Sequence, residues 1–269
     1  MEIKSKNKKM RNVLFTTVNG MLKPSKGKGL SNTKLGKFVY ERVFIPTKPN
    51  YIEVEGFKLY IHPGKDFFSD SLLVSKEYEP IETKVIKDLI KEGDIVVDAG
   101  ANIGYYTILL SKAIGPNGKV YAFEPERSCF DLLTKKIKEN NCNNVVLVNK
   151  ALSDKEEKIK FYIDKKDKGL SGILNDSEKY EVAVQATTLD NEITESIDFM
   201  KMDIEGSELN ALKGATTSLR SCKKMVIEVP ENRKDFNDIK ELLINNKYKI
   251  ERLDEGNVLC IKKDKEVLK

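Results

Sequence analysis

The chain has 269 residues and a mass of 30.6 kDa, enough for one large domain or two small ones with a sizeable core. Hydrophobic residues make up 40% and charged residues 33%, with 16 Gly and 8 Pro, which excludes collagen-like and broadly disordered chains. No window offers the roughly 18 apolar residues that a membrane helix needs, and the net charge of +5 is uneven: residues 1–40 hold ten Lys and Arg against Glu2 alone, so the rest of the chain is acidic.

In chain order, residues 1–38 read as a basic, loosely ordered arm. Residues 39–92 read as a hairpin and a helix that cap the site. The hairpin is Tyr51–Val54 and Phe57–Ile61 around Glu55-Gly56, with Gly supplying positive φ. The helix places Ile81, Val85, Ile86, Leu89 and Ile90 on one face and stops at Gly93. From residue 93 to 269, short apolar runs alternate with helical patterns. Strands are predicted at Asp94–Asp98, Lys119–Phe123, Val145–Val148, Phe199–Met202 and Met225–Val229, with two terminal strands at Lys249–Leu253 and Val258–Ile261. Helices are predicted at Ile103–Ile114 and Glu126–Asn140, as one helix carrying Leu209, Leu212 and Leu219, and around Phe236, Ile239 and Leu243. Added strands are expected at Phe161–Ile163 and Val182–Val184. This alternation predicts a three-layer, Rossmann-like α/β fold with a mainly parallel seven-stranded sheet and an antiparallel C-terminal strand.

Cys129, Cys142, Cys222 and Cys260 form no C-x-x-C pair, and His62 is the single histidine. Structural zinc, dithiol redox chemistry and a Ser-His-Asp triad are therefore not expected. The stretch Met10–Leu22 is interrupted by Arg11, Asn12 and Asn19, so it does not read as a signal peptide, and a reduced, cytoplasmic location is the expectation.

The chemistry concentrates at Asp98-Ala99-Gly100-Ala101-Asn102-Ile103-Gly104, the turn after the first core strand, where an open α/β sheet binds its ligand. Glu124 ends the second strand, and a carboxylate there can accept hydrogen bonds from both ribose hydroxyls. An adenosine-containing cofactor follows. A dinucleotide site wants G-x-G-x-x-G, but counting from Gly100 the next two glycine positions are Asn102 and Tyr105. Residues 93–111 hold no Lys or Arg, and no phosphate-binding P-loop occurs. S-adenosyl-L-methionine, an adenosine compound without phosphates, fits. Acids at strand ends, Asp98 and Asp203, could balance its sulfonium and ammonium charges.

These residues resemble the FkbM family of S-adenosylmethionine-dependent methyltransferases. The matching pieces are GDIVVDAGANIGYYT, KVYAFEP, NVVLVNKALSD, Thr188-Leu189-Asp190 and FMKMDIEGSELNALKG, with Glu77-Tyr78-Glu79 resembling a Tyr-Glu element upstream. The likeness runs from Tyr51 to Pro230. It implies O-methylation of a hydroxyl, often on a sugar or polyketide. It also implies that Asp98, Gly100, Asn102 and Gly104 cradle the methionine part, that Glu124 binds the ribose, and that Ala151 and Leu152 border the adenine.

The exit of the fourth core strand carries Asp203, Glu205 and Glu208. Three readings stand for these acids: a general base, a divalent-metal site that acidifies the hydroxyl, or a cofactor contact at Asp203 with helix-start residues behind it. Asp203 and Glu205 are the candidate catalytic residues. No metal ligands are assigned, because no histidine and no third acid from another strand end is evident. His62, on the hairpin, is a minor candidate for touching substrate. Asn-Pro-Pro-Tyr and Pro-Cys motifs are absent, which argues against amide or adenine N-methylation and covalent C5 chemistry. The expected acceptor is a hydroxyl compound, a glycan or glycolipid, and nucleic acid is not expected. The basic arm could touch an anionic surface. The sequence leaves the oligomeric state open. Two alternatives stand beside this: an RNA methyltransferase guided by the arm, and a binding module that retained the fold without turnover.

Overall fold

The computed structural model describes residues 38–54, 56–60, 72–73, 78–164, 172 and 179–263. The basic arm up to residue 37, His62 and most of the 165–178 loop lie outside these. The chain divides into two units, Met1–Tyr78 and Glu79–Lys269.

In the first unit, a helical stretch over Tyr40–Phe44 and Ile45–Thr47 precedes an antiparallel hairpin of β1 (Tyr51–Val54) and β2 (Phe57–Tyr60). Gly56 sits at the turn with φ +77°, the left-handed value that favours glycine.

The second unit is a strand–helix alternation. It begins with α1 (Pro80–Leu89), which sequence patterning groups with the hairpin but which belongs to this unit. There follow β3 (Ile95–Ala99), α2 (Tyr105–Ile114), β4 (Lys119–Phe123), α3 (Arg127–Glu139) and β5 (Val145–Val148). A three-stranded side sheet comes next, of β6 (Ala151–Leu152), β7 (Lys158–Asp164) and β8 (Lys179–Thr187), with β8 central. After α4 (Leu189–Glu192), the main sheet resumes with β9 (Phe199–Met202), α5 (Glu208–Lys213), α6 (Thr216–Ser221), β10 (Lys224–Glu228), α7 (Phe236–Asn245), β11 (Tyr248–Arg252) and β12 (Asn257–Lys262).

The seven strands of the main sheet lie in the order β5-β4-β3-β9-β10-β12-β11. The pairs from β5 to β10 are parallel, and β12 runs antiparallel to both β10 and β11. The central strands are buried on both faces, so they read as apolar runs without alternation. Val97, Phe123, Met200, Met202, Met225 and Ile227 are among the side chains of one core. The chain steps outward from β3 to β5 and then returns to the other side of β3 with β9. That reversal is the topological switch point, where a crevice opens at the carboxyl ends of the strands.

The single helix predicted through Leu209, Leu212 and Leu219 is instead two. Gly214 ends α5, and a Cβ there would stand 2.1 Å from the Ser153 carbonyl oxygen. The Asp190 carboxylate then starts α6, accepting from the Thr217 and Ser218 N–H groups at 2.7 and 2.8 Å. Asp190 of the Thr-Leu-Asp element is therefore a helix cap.

Candidate active site

The turn after β3 is stitched to its neighbours by backbone hydrogen bonds. Gly100 and Ala101 donate to the Phe123 carbonyl at 3.0 and 2.8 Å, and Asp203 donates to the Ala99 carbonyl at 3.0 Å. Gly100, Asn102 and Gly104 take φ of +87°, +48° and +93°. At Gly100 a Cβ would lie 1.8 Å from the Asp203 carbonyl oxygen, and at Gly104 it would lie 2.6 Å from Leu133 Cδ1. The two glycines thus let the turn fold against the β9 exit on one side and α3 on the other.

Glu124, at the end of β4, is buried with its carboxylate turned into this turn. It accepts from the Asn102 N–H at 2.8 Å and the Glu126 N–H at 2.7 Å. Burial pushes its carboxyl up to about 8 against the pull of those two donors. Asn149 closes the side of this corner, donating to the Glu124 carbonyl at 2.8 Å. Ala151 and Leu152 are both buried; Leu152 joins the core, and its carbonyl accepts from Ser207 Oγ at 3.0 Å.

Asp98 is fully buried on β3. Its Oδ2 accepts from Thr107 Oγ1 at 2.5 Å, whereas its Oδ1 has no hydrogen-bond partner among the described residues. A buried carboxyl with a spare oxygen, beside a glycine-bearing turn and the Glu124 carboxyl, is an acceptor set that fits a cationic adenosine compound.

The second half of the site was only partly legible in the sequence. In the β9–β10 register Met202 stands beside Ile227, so the next residues, Asp203 just past β9 and Glu228 at the end of β10, lie side by side. Carboxylate oxygens of Asp203, Glu205 and Glu228 lie within 4.8 Å of one another. Glu228 is the third acid from another strand end that the sequence did not reveal, so that ground for assigning no metal does not stand. Its trace in the sequence is an acid at the close of an apolar strand, inside the predicted Met225–Val229 run.

A counter-charge is built in. Lys201 is buried in β9, 3.0 Å from Asp203 Oδ2 and 3.8 Å from Glu82 Oε1 of α1, and 4.7 Å above the Tyr106 ring. A lysine inside the apolar Phe199-Met200-Lys201-Met202 run is the sequence trace of this pairing. Burial opposes the Lys201 charge, but the Asp203 and Glu82 carboxylates outweigh it and keep the ammonium protonated. Burial likewise opposes the charge of Asp203, which Lys201 and a hydrogen bond from Glu228 hold below the usual carboxylate range. Glu228 is pushed up to about 10 by its neighbour Asp203 and by burial. Burial also raises Glu82 to about 8, with Lys201 pulling the other way and Glu79 adding to the rise. Glu79 accepts from Tyr106 Oη at 2.9 Å and holds left-handed backbone at φ +44°.

The loop carrying Asp203 and Glu205 is held from behind. Glu205 and Gly206 take φ of +50° and +105°. Glu208 is buried and accepts from the Ile204 and Gly206 N–H groups, each at 3.1 Å, while Arg233 pairs with it and with Asp235. Glu208 is therefore committed to fixing the loop.

All four cysteines are free and buried, as packing residues are. No helix among the described residues is long and apolar enough to cross a membrane.

Strand order, glycine turn and acidic strand end together define the class: an α/β methyltransferase fold with a crevice at the switch point. Residues 98–250 match the methyltransferase FkbM domain. The chain belongs to that family, and its cofactor is S-adenosylmethionine. Among curated proteins, it is 29% identical over 178 residues to the hexuronic acid methyltransferase AglP of Haloferax volcanii, covering 63% of this chain and 71% of that one. It is 26% identical over 174 residues to methyltransferase sdnD of Sordaria araneosa, covering 51% and 67%. Among solved structures, the FkbM methyltransferase of Methylobacillus flagellatus KT is 18% identical with a TM-score of 0.46, covering 72% of this chain and 52% of that one.

Proposed function

We propose that this methyltransferase O-methylates a hydroxyl of a sugar, in a glycan or glycolipid. The observation that carries the reading is the gathering of Asp203, Glu205 and Glu228 at the switch point, against the Gly100 turn. A sugar hydroxyl is a poor nucleophile until its proton is taken, so its methylation calls for a base, worth about 10²–10⁴-fold. A carboxylate acceptor has no proton to lose, and three acids would repel it. The relative AglP acts on a hexuronic acid, which supports a sugar acceptor, and among a uronic acid's oxygens the acid-lined site favours the hydroxyls.

When bound, S-adenosylmethionine supplies an electrophilic methyl group on sulfur. The chain's residues do the rest. Asp203 offers negative charge to the cofactor's cationic groups, Asp98, whose carboxyl is held above its usual range by burial, offers a free oxygen, and Glu124 offers oxygens to its ribose. Glu205 takes the hydroxyl proton. Lys201 keeps Asp203 ionised in a buried setting, and Glu208 with Arg233 holds the loop in register, so the acceptor oxygen meets fixed charges rather than mobile ones.

The test is mass spectrometry of cell glycans and glycolipids with and without the gene, joined to transfer of a labelled methyl group by the purified protein. A glycan that loses one methyl group without the gene supports the reading. Methyl transfer to bulk RNA, with the glycans unchanged, overturns it.

A further inference from the structure

Three carboxyl groups whose oxygens lie within 4.8 Å cannot all carry charge in a half-buried setting. One positive neighbour, Lys201, is shared between Asp203 and Glu82. Strand register sets Glu228 beside Asp203, and two half-buried carboxyls that close share a proton rather than both ionise. The pair therefore has the chemistry of a carboxyl dyad that holds one proton between two acids. The groups that face it come from every side. Lys201 lies below Asp203 on β9, and Glu205 stands beside it on the same loop. Glu82 reaches in from α1, Glu79 from the residue before that helix, and Tyr106 from α2. Asp98 lies on β3, and Glu228 Oε1 and Asp254 Oδ1 both lie 3.7 Å from where a Gly256 Cβ would stand, on the β11–β12 turn. Negative groups predominate, so any added positive charge is strongly felt.

S-adenosylmethionine carries a sulfonium charge that its product, S-adenosylhomocysteine, lacks. We propose that the Asp203–Glu228 pair is a proton-exchange site coupled to that charge, holding one proton in the free and product-bound protein and releasing it when the sulfonium binds. This rests on the cofactor lying beside Asp203, as in the functional reading above. The sum of the reaction then closes without a free proton being left in a buried site. As the acceptor's C–O bond forms and the C–S bond breaks, the C–S electron pair stays on sulfur and the sulfonium charge disappears. The hydroxyl proton, first taken by Glu205, is passed to the pair as that charge is lost. The pair ends the cycle protonated, as it began, and the proton that the reaction liberates has left for solvent at the binding step. Glu228 is a positioning and storage residue in this scheme, and its place beside Asp203 is fixed by strand register.

The test needs no acceptor. Binding of S-adenosylmethionine and of S-adenosylhomocysteine is measured by calorimetry near neutral pH in buffers of different ionisation enthalpy, which counts the protons released with each. The pair predicts that the sulfonium form releases about one proton more than the product. Glu228→Gln, which keeps a donor toward Asp203 but has no proton to exchange, should bind both ligands and abolish the difference. Infrared difference spectra of the wild-type protein give a second measure that needs no variant: the carbonyl stretch of protonated carboxyls should fall further when S-adenosylmethionine is added than when S-adenosylhomocysteine is, since the ribose of either ligand acts on Glu124 alike. Equal proton counts for the two ligands, an equal infrared change, or a difference that survives Glu228→Gln would each overturn the proposal. Failure of both ligands to bind would instead overturn the cofactor placement beneath it.

Discussion

Glu124 and Glu205 divide the work at single residues. Glu124→Ala removes hydrogen bonds to a charged acceptor and should weaken cofactor binding by about 1–3 kcal/mol, as calorimetry reads it. Ribose hydroxyls donate best to the ionised carboxylate. Because burial lifts Glu124 to about 8, cofactor affinity should rise with pH toward that value in the wild type and lose this dependence in Glu124→Ala. The same shift acts on folding in a definite direction. An acid raised above its unfolded value favours the folded state below the unfolded pKa, and this contribution is lost as pH climbs through about 8. Glu205→Gln should leave cofactor affinity nearly intact and cut turnover by about 10²–10⁴-fold. Retention of activity within a factor of about three would make Glu205 a loop residue only. Of these residues, Glu124 was legible because strand, acid and spacing agree within one stretch. Glu228 was not, because its meaning depends on β10 lying next to β9, and a pairing between strands distant in sequence leaves no local pattern.

At the level of elements, the glycine turn and the two-helix segment are the exacting parts. Gly100→Ala forces a side chain into left-handed backbone and against the Asp203 carbonyl. Backbone strain alone should cost about 1–3 kcal/mol, and cofactor binding should weaken with it, since the β3 and β9 exits are pushed apart. Paired thermal melts and calorimetry measure both effects. Asp190→Ala should cost about 1 kcal/mol by uncapping α6, while leaving cofactor affinity unchanged in calorimetry. Most strands were read from sequence to within a residue or so, since buried parallel strands are short apolar runs. The break between α5 and α6 was missed because leucines spaced along one face look alike in one helix or two. What splits the helices is the Ser153 backbone against Gly214 and a carboxylate 27 residues upstream of Thr217, both tertiary contacts.

On the scale of the whole molecule, Lys201 ties the sheet to the helical layer. It joins the middle of the sheet to α1 through Glu82 and to α2 through the Tyr106 ring. Lys201→Met would leave Asp203 and Glu82 buried without their counter-charge, at a cost of about 3–5 kcal/mol. That cost should shrink at acid pH, where both carboxyls take up protons, and be greatest at alkaline pH. Urea unfolding of both proteins at either end of this range checks the sign, and a pH-independent loss would mean that packing rather than charge is at stake. The overall architecture was legible from alternation alone. The ionic interior was not, because one lysine between methionines shows that a partner is needed without showing which.

The strand β12 lies between β10 and β11 although it follows both in the chain. As the polypeptide leaves the ribosome, β10 and β11 are made first and cannot pair with each other in the native way. Without β12 a strand-wide slot would separate them, and each flank of that slot would be an unpaired edge. Docking of residues 257–262 therefore pairs two strand edges in one step. Cys260 lies in the middle of the closing strand and is buried once it is home. Its loss of reactivity toward an alkylating reagent during refolding would time the closure, and an added peptide of the β12 sequence should compete for the same slot and delay it.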